Sequence, residues 1–215
     1  MRLFVAVPLP SAVRVAVDAA LAPVRAAHPG VRWTAPAGWH LTLAFLGEVA
    51  APGPVLDAVG PVAAWHPPAR LTLGEPGRFG DRVLWLAVHD DPAGALIDLA
   101  ADVGAGLVDA GLLPVDDPAV SRPLRAHLTI ARKRREPIGA PLVAAVHGAL
   151  DRAGIGVTAS WPSQQVELWR SHLGEGPARY EVVASFAAAG AAGSAARSAA
   201  GDAGASAAEG TEAEA

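Results

Sequence analysis

Two stretches of this chain read almost alike. HLTLAFLG runs from His40 to Gly47, and HLTIAR from His127 to Arg132. In an extended strand, successive side chains point to opposite faces. His40 and Thr42 therefore share one face, with Leu41 and Leu43 on the other; His127 and Thr129 stand the same way against Leu128 and Ile130. Each strand has an aliphatic side to bury against helices and carries an imidazole and a hydroxyl on the side left over. Two such strands facing across a cleft bring two imidazoles and two hydroxyls into one pocket. The chain is thereby pushed toward a duplicated, two-lobed fold.

The rest of the chain supplies the parts. RLFVAV (residues 2–7) reads as a buried strand bounded by Pro8, and Ser11 as the cap of a helix running to Ala27, with Val13, Val17, Leu21 and Val24 at helical spacing. Short strands follow at 31–34 and 40–47, and a helix from Pro52 to Ala64. Strands at 70–75 and 82–89 are joined by GRFGD, which reads as a turn. A helix from Pro92 to Ala110 is closed by Gly111, and the Pro- and Asp-rich residues 112–124 read as loop. After HLTIARKR come a helix from Pro141 to Ala153 and strands at 155–159, 164–171 and 179–186. Each half thus has an HLT strand, then a helix, then a strand pair. Elements alternate irregularly, which is α+β rather than a doubly wound parallel sheet. Residues 187–215 are Ala, Gly, Ser and Glu without a large apolar side chain after Phe186, so 1–186 is expected to fold and 187–215 to form a disordered tail.

Composition removes several function classes. There is no Cys, which excludes thiolate catalysis, disulfides and Cys-based zinc sites. A net charge of −4 argues against broad grip on duplex DNA, which needs a basic face. Local positive charge is still present, with Arg122, Arg125, Arg132, Lys133, Arg134 and Arg135 around the second HLT. Mean hydropathy is high at +0.30, yet no apolar run approaches the ~18–20 residues of a membrane span. MRLFVAVPLP is broken by Pro8 and Pro10 and reads as a strand rather than a leader, so the cytoplasm is the expected location.

The doubled motif suits in-line attack on a phosphodiester. One neutral imidazole takes a proton from water and the other, protonated, gives one to the departing oxygen; an ordinary pKa near ~6.5 permits both roles. The expected order makes His127 the base and His40 the acid, although the near-symmetry of the motifs allows the reverse. Thr42 and Thr129 are placed to donate to the phosphate oxygens. Neither a metal nor a cofactor is expected: H-E-x-x-H is missing and no carboxylate stands within either HLT. A single HLT is ordinary strand text, but two in a chain of seven His are not. The other five, His28, His66, His89, His147 and His172, read as structural or surface residues.

These residues resemble a known family. The paired H-x-T-x motifs, with RLFVAVPLP, VRWT, RVLWLAV and VELWRSHLGEGPARYEVV, are similar to the 2H phosphoesterase superfamily, and within it to the RNA 2′,3′-cyclic phosphodiesterases once called 2′-5′ RNA ligases. The resemblance covers about residues 2–186. It implies two α+β lobes with antiparallel sheets flanking a cleft, helices outside, and hydrolysis of cyclic phosphate ends of RNA or nucleotides to 2′-phosphates without a metal. It also implies that Arg132 helps bind the phosphate and that Phe4 sits near the base. A monomer is expected. Other activities that fit the same resemblance are reversible 2′-5′ ligation, opening of another cyclic phosphate such as that of ADP-ribose, and silent nucleotide or RNA binding.

Two departures stand out. Ala126 precedes the second His where the family often has Pro. Strict alternation also puts Arg132 on the face opposite His127, so its role requires a twist or bulge after Ile130. Otherwise Arg125 or Lys133 takes its place. Trp33, Trp85 and Tyr180 read as packing residues, and Lys133, Arg134 and Arg135 as a solvated strand end.

Overall fold

The structure is a computed structural model that describes residues 1–155, 159–172 and 179–191. Two antiparallel sheets share one continuous apolar core. The first has the order β3-β1-β8-β9, from β1 (Arg2–Pro8), β3 (His40–Glu48), β8 (Gln165–His172) and β9 (Arg179–Ala187). The second has the order β2-β6-β5-β4-β7, from β2 (Arg32–Trp33), β4 (Arg70–Phe79), β5 (Val83–Asp91), β6 (His127–Arg132) and β7 (Ser160–Pro162). The sheets meet where β3 and β6, the two HLT strands, pack together.

Helices cover the apolar outer faces. α1 (Ser11–Ala27) packs on α5 (Ala140–Arg152), which lies on β4; α2 (Gly53–Trp65) packs on α3 (Ala95–Asp109) and on β8 and β9; α3 also packs on β3. α1 buries Val13, Val17, Leu21 and Val24, the stripe read from its periodicity. Leu41, Leu43, Leu128 and Ile130 are all in the core, which explains why the opposite faces of these strands are free for polar groups.

The two lobes are not the two halves of the sequence. The strand pair after β3, β4–β5, lies in the sheet of β6; the pair β8–β9, which follows β6, lies in the sheet of β3. Each HLT strand is thus completed by the strand pair that follows the other. The chain crosses between lobes in both directions and ties them into one body.

Several local expectations change. Pro10, not Ser11, holds the cap position of α1, and no side chain caps it. The expected GRFGD turn is mostly strand: Gly77, Arg78 and Phe79 pair with Trp85, Leu84 and Val83, leaving a tight turn at Gly80 with φ +56°. The loop 112–124 contains a short helix, α4 (Pro118–Ser121), whose first turn is held by the Asp117 carboxylate accepting from the Ala119 N–H at 2.8 Å. Of the strand expected at 155–159, residues 156–158 lie outside the described residues, and the edge strand found is β7, paired with Arg70–Thr72. Ordered packing also runs past Phe186. Ala187 ends β9, Ala188 is buried and donates to Gln164 O, and Ala189 donates to His66 O. Residues 192–215, most of the expected tail, lie outside the described residues.

Candidate active site

The two HLT strands carry the same irregularity. On β6, Thr129 pairs with Trp85 and Ala131 with Leu84, so Ile130 is an extra residue. On β3, Thr42 pairs with Ala6 and Ala44 with Val5, so Leu43 is extra. Such a bulge sets two residues against one and shifts the alternation by one step. Ile130 and Ala131 both turn inward and are fully buried, and Arg132 returns to the face of His127 and Thr129. The bulge lies at Ile130 itself, and Arg132 lines the same pocket as both histidines.

That pocket is lined by His40, Thr42, His127, Thr129 and Arg132, together with Thr34, Gly38 and Tyr180. The first five are sequence-predicted residues. Thr34 arrives because its N–H donates to the carbonyl of the bulged Ile130 at 2.9 Å, a contact with no sequence signal. Gly38 carries no sequence signal for the site, and Tyr180 reads from the sequence as a packing residue. Tyr180 belongs to the RYEVV text of β9, but only the tertiary fold brings it against residue 40.

The two imidazoles are held alike. His40 Nδ1 lies 2.8 Å from the carbonyl oxygen of Gly38, and His127 Nδ1 lies 2.7 Å from that of Arg125. A carbonyl can only accept, so Nδ1 carries the proton and Nε2 is left as the working nitrogen. The other five histidines each face a carboxylate instead: His28 faces Glu136, His66 Asp102, His89 Glu75, His147 Asp151, and His172 Glu181. Orientation by a backbone carbonyl two residues upstream thus separates the two HLT histidines from all the rest.

Their surroundings differ. Every other strand of the first sheet contributes a ring around His40. Phe4 on β1 lies at 4.6 Å, Trp169 on β8 at 5.4 Å and Tyr180 on β9 at 5.3 Å between centroids. Phe4 is buried beneath the imidazole and is not among the residues lining the pocket. His127 has two ring neighbours, Phe79 at 5.0 Å and Trp85 at 6.4 Å. Burial pushes the His40 pKa down to about 4, outweighing the Gly38 hydrogen bond that raises it; the charges of Arg132 and His127 lower it further. His40 is therefore neutral at pH 7, with a lone pair on Nε2.

The remaining basic residues do not join the pocket. Lys133 Nζ pairs with Asp81 at 2.5 Å, and the Arg125 guanidinium lies over the Phe79 ring at 5.7 Å. Trp33 donates from Nε1 to His28 O, and the Trp85 indole lies flat across Gly77, where a Cβ would stand 2.3 Å from it.

A family model described as the 2′-5′ RNA ligase superfamily matches residues 12–175. The RNA 2′,3′-cyclic phosphodiesterase of Geobacillus stearothermophilus is 31% identical over 195 residues, covering 87% of this chain. The chain spans only 57% of that relative's length. The RNA 2′,3′-cyclic phosphodiesterase of Escherichia coli K12 is 32% identical over 144 residues, 65% of this chain and 76% of that protein. Among solved structures, TT0787 of Thermus thermophilus superposes with a TM-score of 0.65 at 30% identity, covering 87% of this chain and 97% of that one. Apo E. coli LigT gives a TM-score of 0.61 at 28% identity, again covering 87% and 97%. The matched model spans most of the chain and both HLT strands, and the chain belongs to the 2′-5′ RNA ligase superfamily.

Proposed function

We propose that this protein is an RNA 2′,3′-cyclic phosphodiesterase: a hydrolase that opens the 2′,3′-cyclic phosphate end of RNA or of a nucleotide to a 2′-phosphate by two-histidine acid–base catalysis. The observation that carries this reading is the pair of carbonyl-oriented imidazoles whose Nε2 atoms are free beside one pocket. Two relatives named RNA 2′,3′-cyclic phosphodiesterase support it, as do E. coli LigT crystals with phosphate and with 3′-AMP.

In the reaction one Nε2 takes a proton from water, whose oxygen attacks phosphorus. The bond from phosphorus to the 3′-oxygen breaks, and the other Nε2 protonates that oxygen. Each proton transfer is typically worth about 10²–10⁴-fold. Thr42, Thr129 and Arg132 hold the non-bridging oxygens as their charge grows. The pocket lining offers two imidazoles and no carboxylate, and the proposed reaction gives both proton transfers to the imidazoles without a metal.

Burial of His40 bears on the order of the two roles. The sequence reading gave water to His127 and the leaving oxygen to His40. The ligand-free protein keeps His40 unprotonated, which favours the reverse order, His40 as base and His127 as acid. A 3′-deoxynucleoside 2′-(p-nitrophenyl phosphate) separates the two, because it keeps the 2′-oxygen on phosphorus, has no neighbouring hydroxyl to attack, and its leaving group needs no proton. The variant that has lost only the acid is spared on this substrate. Sparing of His127→Ala supports the reverse order, and sparing of His40→Ala restores the first.

The whole reading is tested by incubating the protein with a 2′,3′-cyclic mononucleotide in excess EDTA and following the products by phosphorus NMR. A 2′-phosphate, absent with either His→Ala variant, supports reaction, regiochemistry and metal independence together. A 3′-phosphate reverses which oxygen leaves. No turnover there or on a cyclic-ended RNA favours another cyclic phosphate or silent binding. No helix among the described residues is long and apolar enough to cross a membrane, and a cytoplasmic monomer is the proposed form.

A further inference from the structure

We propose that Tyr180 is a positioning residue for His40, acting through Gly38; this rests on the reading above that His40 is one of the two working imidazoles. Three contacts form a closed triangle. The Gly38 carbonyl takes the His40 Nδ1–H at 2.8 Å. The Tyr180 ring stands nearly perpendicular to the imidazole, 5.3 Å away with an interplanar angle of 80°. The same ring lies against the Gly38 backbone so closely that a Cβ on residue 38 would stand 2.9 Å from Cδ2 and 3.2 Å from Cε2. The peptide that orients the imidazole is thus held by the ring that flanks the imidazole.

This explains the glycine. Gly38 ends a 3-10 turn, Pro36–Gly38, and its N–H is bonded to Ala35 O. It is not among the glycines with positive φ, so backbone freedom does not demand it. The space taken by Tyr180 does.

The other lobe provides the contrast. The carbonyl that orients His127 belongs to Arg125, two residues upstream like Gly38, and there a large side chain is accommodated over Phe79. The rings near His127, Phe79 and Trp85, come from β4 and β5 and leave room for it. The duplicated motif is therefore supported differently on its two sides. His40 is clamped by a residue 140 positions later in the chain, on the last strand of its sheet.

The contact makes Gly38 and Tyr180 one unit, which a double-mutant cycle exposes. In Gly38→Ala the new methyl must displace the ring or the carbonyl. Turnover of a cyclic mononucleotide should fall by about tenfold to a hundredfold, the range for a small misplacement of a reacting group. Tyr180→Ala should show a similar loss, and Tyr180→Phe should lose much less than Tyr180→Ala because the ring is kept. The double variant should be no worse than Tyr180→Ala alone, since the methyl then has space.

The deciding readout needs no substrate. Long-range proton–nitrogen correlation on the ¹⁵N-labelled full chain reports the tautomer of each neutral imidazole. His40 should be Nδ1-protonated in the wild type and in Tyr180→Phe, and mixed in Gly38→Ala and Tyr180→Ala, with His127 unchanged in all four. Melting curves show whether each variant is folded; if Tyr180→Ala is not, Tyr180→Leu keeps bulk and removes the flat ring. An unchanged His40 tautomer in folded Gly38→Ala, or defects that add in the double variant, overturns the proposal. Because this signal is independent of turnover, it holds or fails separately from the cyclic phosphodiesterase reading.

Discussion

Arg132 and Phe45 occupy the same step of two equivalent bulges. Each stands five residues after its histidine, just past the bulge and a buried alanine, Ala131 on β6 and Ala44 on β3. The bulge turns both outward. Arg132 lines the pocket, whereas Phe45 is 41% exposed beneath the Arg2 guanidinium, 4.6 Å from its ring centroid. The repeated motif thus places a residue at this position in each lobe, and only one of the two is a cation facing the pocket.

Arg132→Ala should lower kcat/KM for a 2′,3′-cyclic nucleotide by about tenfold to a hundredfold, the worth of a hydrogen bond to a charged group. Arg132→Lys should recover part of the loss, because charge remains but the two-pronged donor does not. Steady-state kinetics on the three proteins checks this, and an unchanged kcat/KM in Arg132→Ala would remove it from the phosphate site.

Replacing either histidine by alanine should cut turnover at least about a hundredfold, the low end for one lost proton transfer. Circular dichroism should show no loss of fold, since both imidazoles line the pocket and the aliphatic faces of their strands are untouched. Near-wild-type turnover in either variant would sink the two-histidine mechanism.

The pH dependence follows from the direction of the His40 shift. Its pKa is lowered from 6.5 to about 4, so His40 stays neutral well below the range of an exposed imidazole. The working pair carries one proton in total whichever histidine is the acid, and kcat/KM reports the free enzyme. Activity should therefore persist on acidification and fall only as the pH drops through about 4, where His40 takes up a proton. An acid limb at about 6.5 instead, in the pH profile of kcat/KM, would show that water reaches His40. The same shift affects stability. Between 6.5 and about 4 the unfolded chain binds the proton that folded His40 refuses, so stability is lost as pH falls through that window. His40→Gln should flatten that part of the melting-temperature curve.

Because each HLT strand shares its sheet with the strand pair that follows the other, the lobes should not unfold separately. Chemical denaturation should give one transition by tryptophan fluorescence and by circular dichroism. Ile130→Ala, at a fully buried bulge residue, should shift that transition as a whole by about 2–5 kcal/mol. Two resolved transitions would show that the lobes are independent.

Much of this protein could be read from its chain because the signals are local. Strand alternation put His and Thr on one face and aliphatics on the other, and those faces are found in the pocket and the core. Helical spacing marks the buried stripe of α1, and of the two glycines in GRFGD only Gly80 makes the expected turn, while Gly77 stays in the strand and clears space for Trp85. What the chain could not show depends on partners distant in sequence. The bulges that turn Arg132 into the cleft are properties of strand pairing, visible only against β5 and β1. The crossing of strand pairs between sheets is topology, and periodicity carries no information about which sheet a strand joins. The ring box around His40 draws on residues 4, 169 and 180, and it is this burial that separates two histidines with nearly the same sequence around them. The sequence by itself determined which groups could perform the chemistry, since residue type and alternation suffice for that. The tertiary structure decided how each is oriented, how wet it is and what charge it carries, because solvent access and electrostatics arise only when distant segments meet.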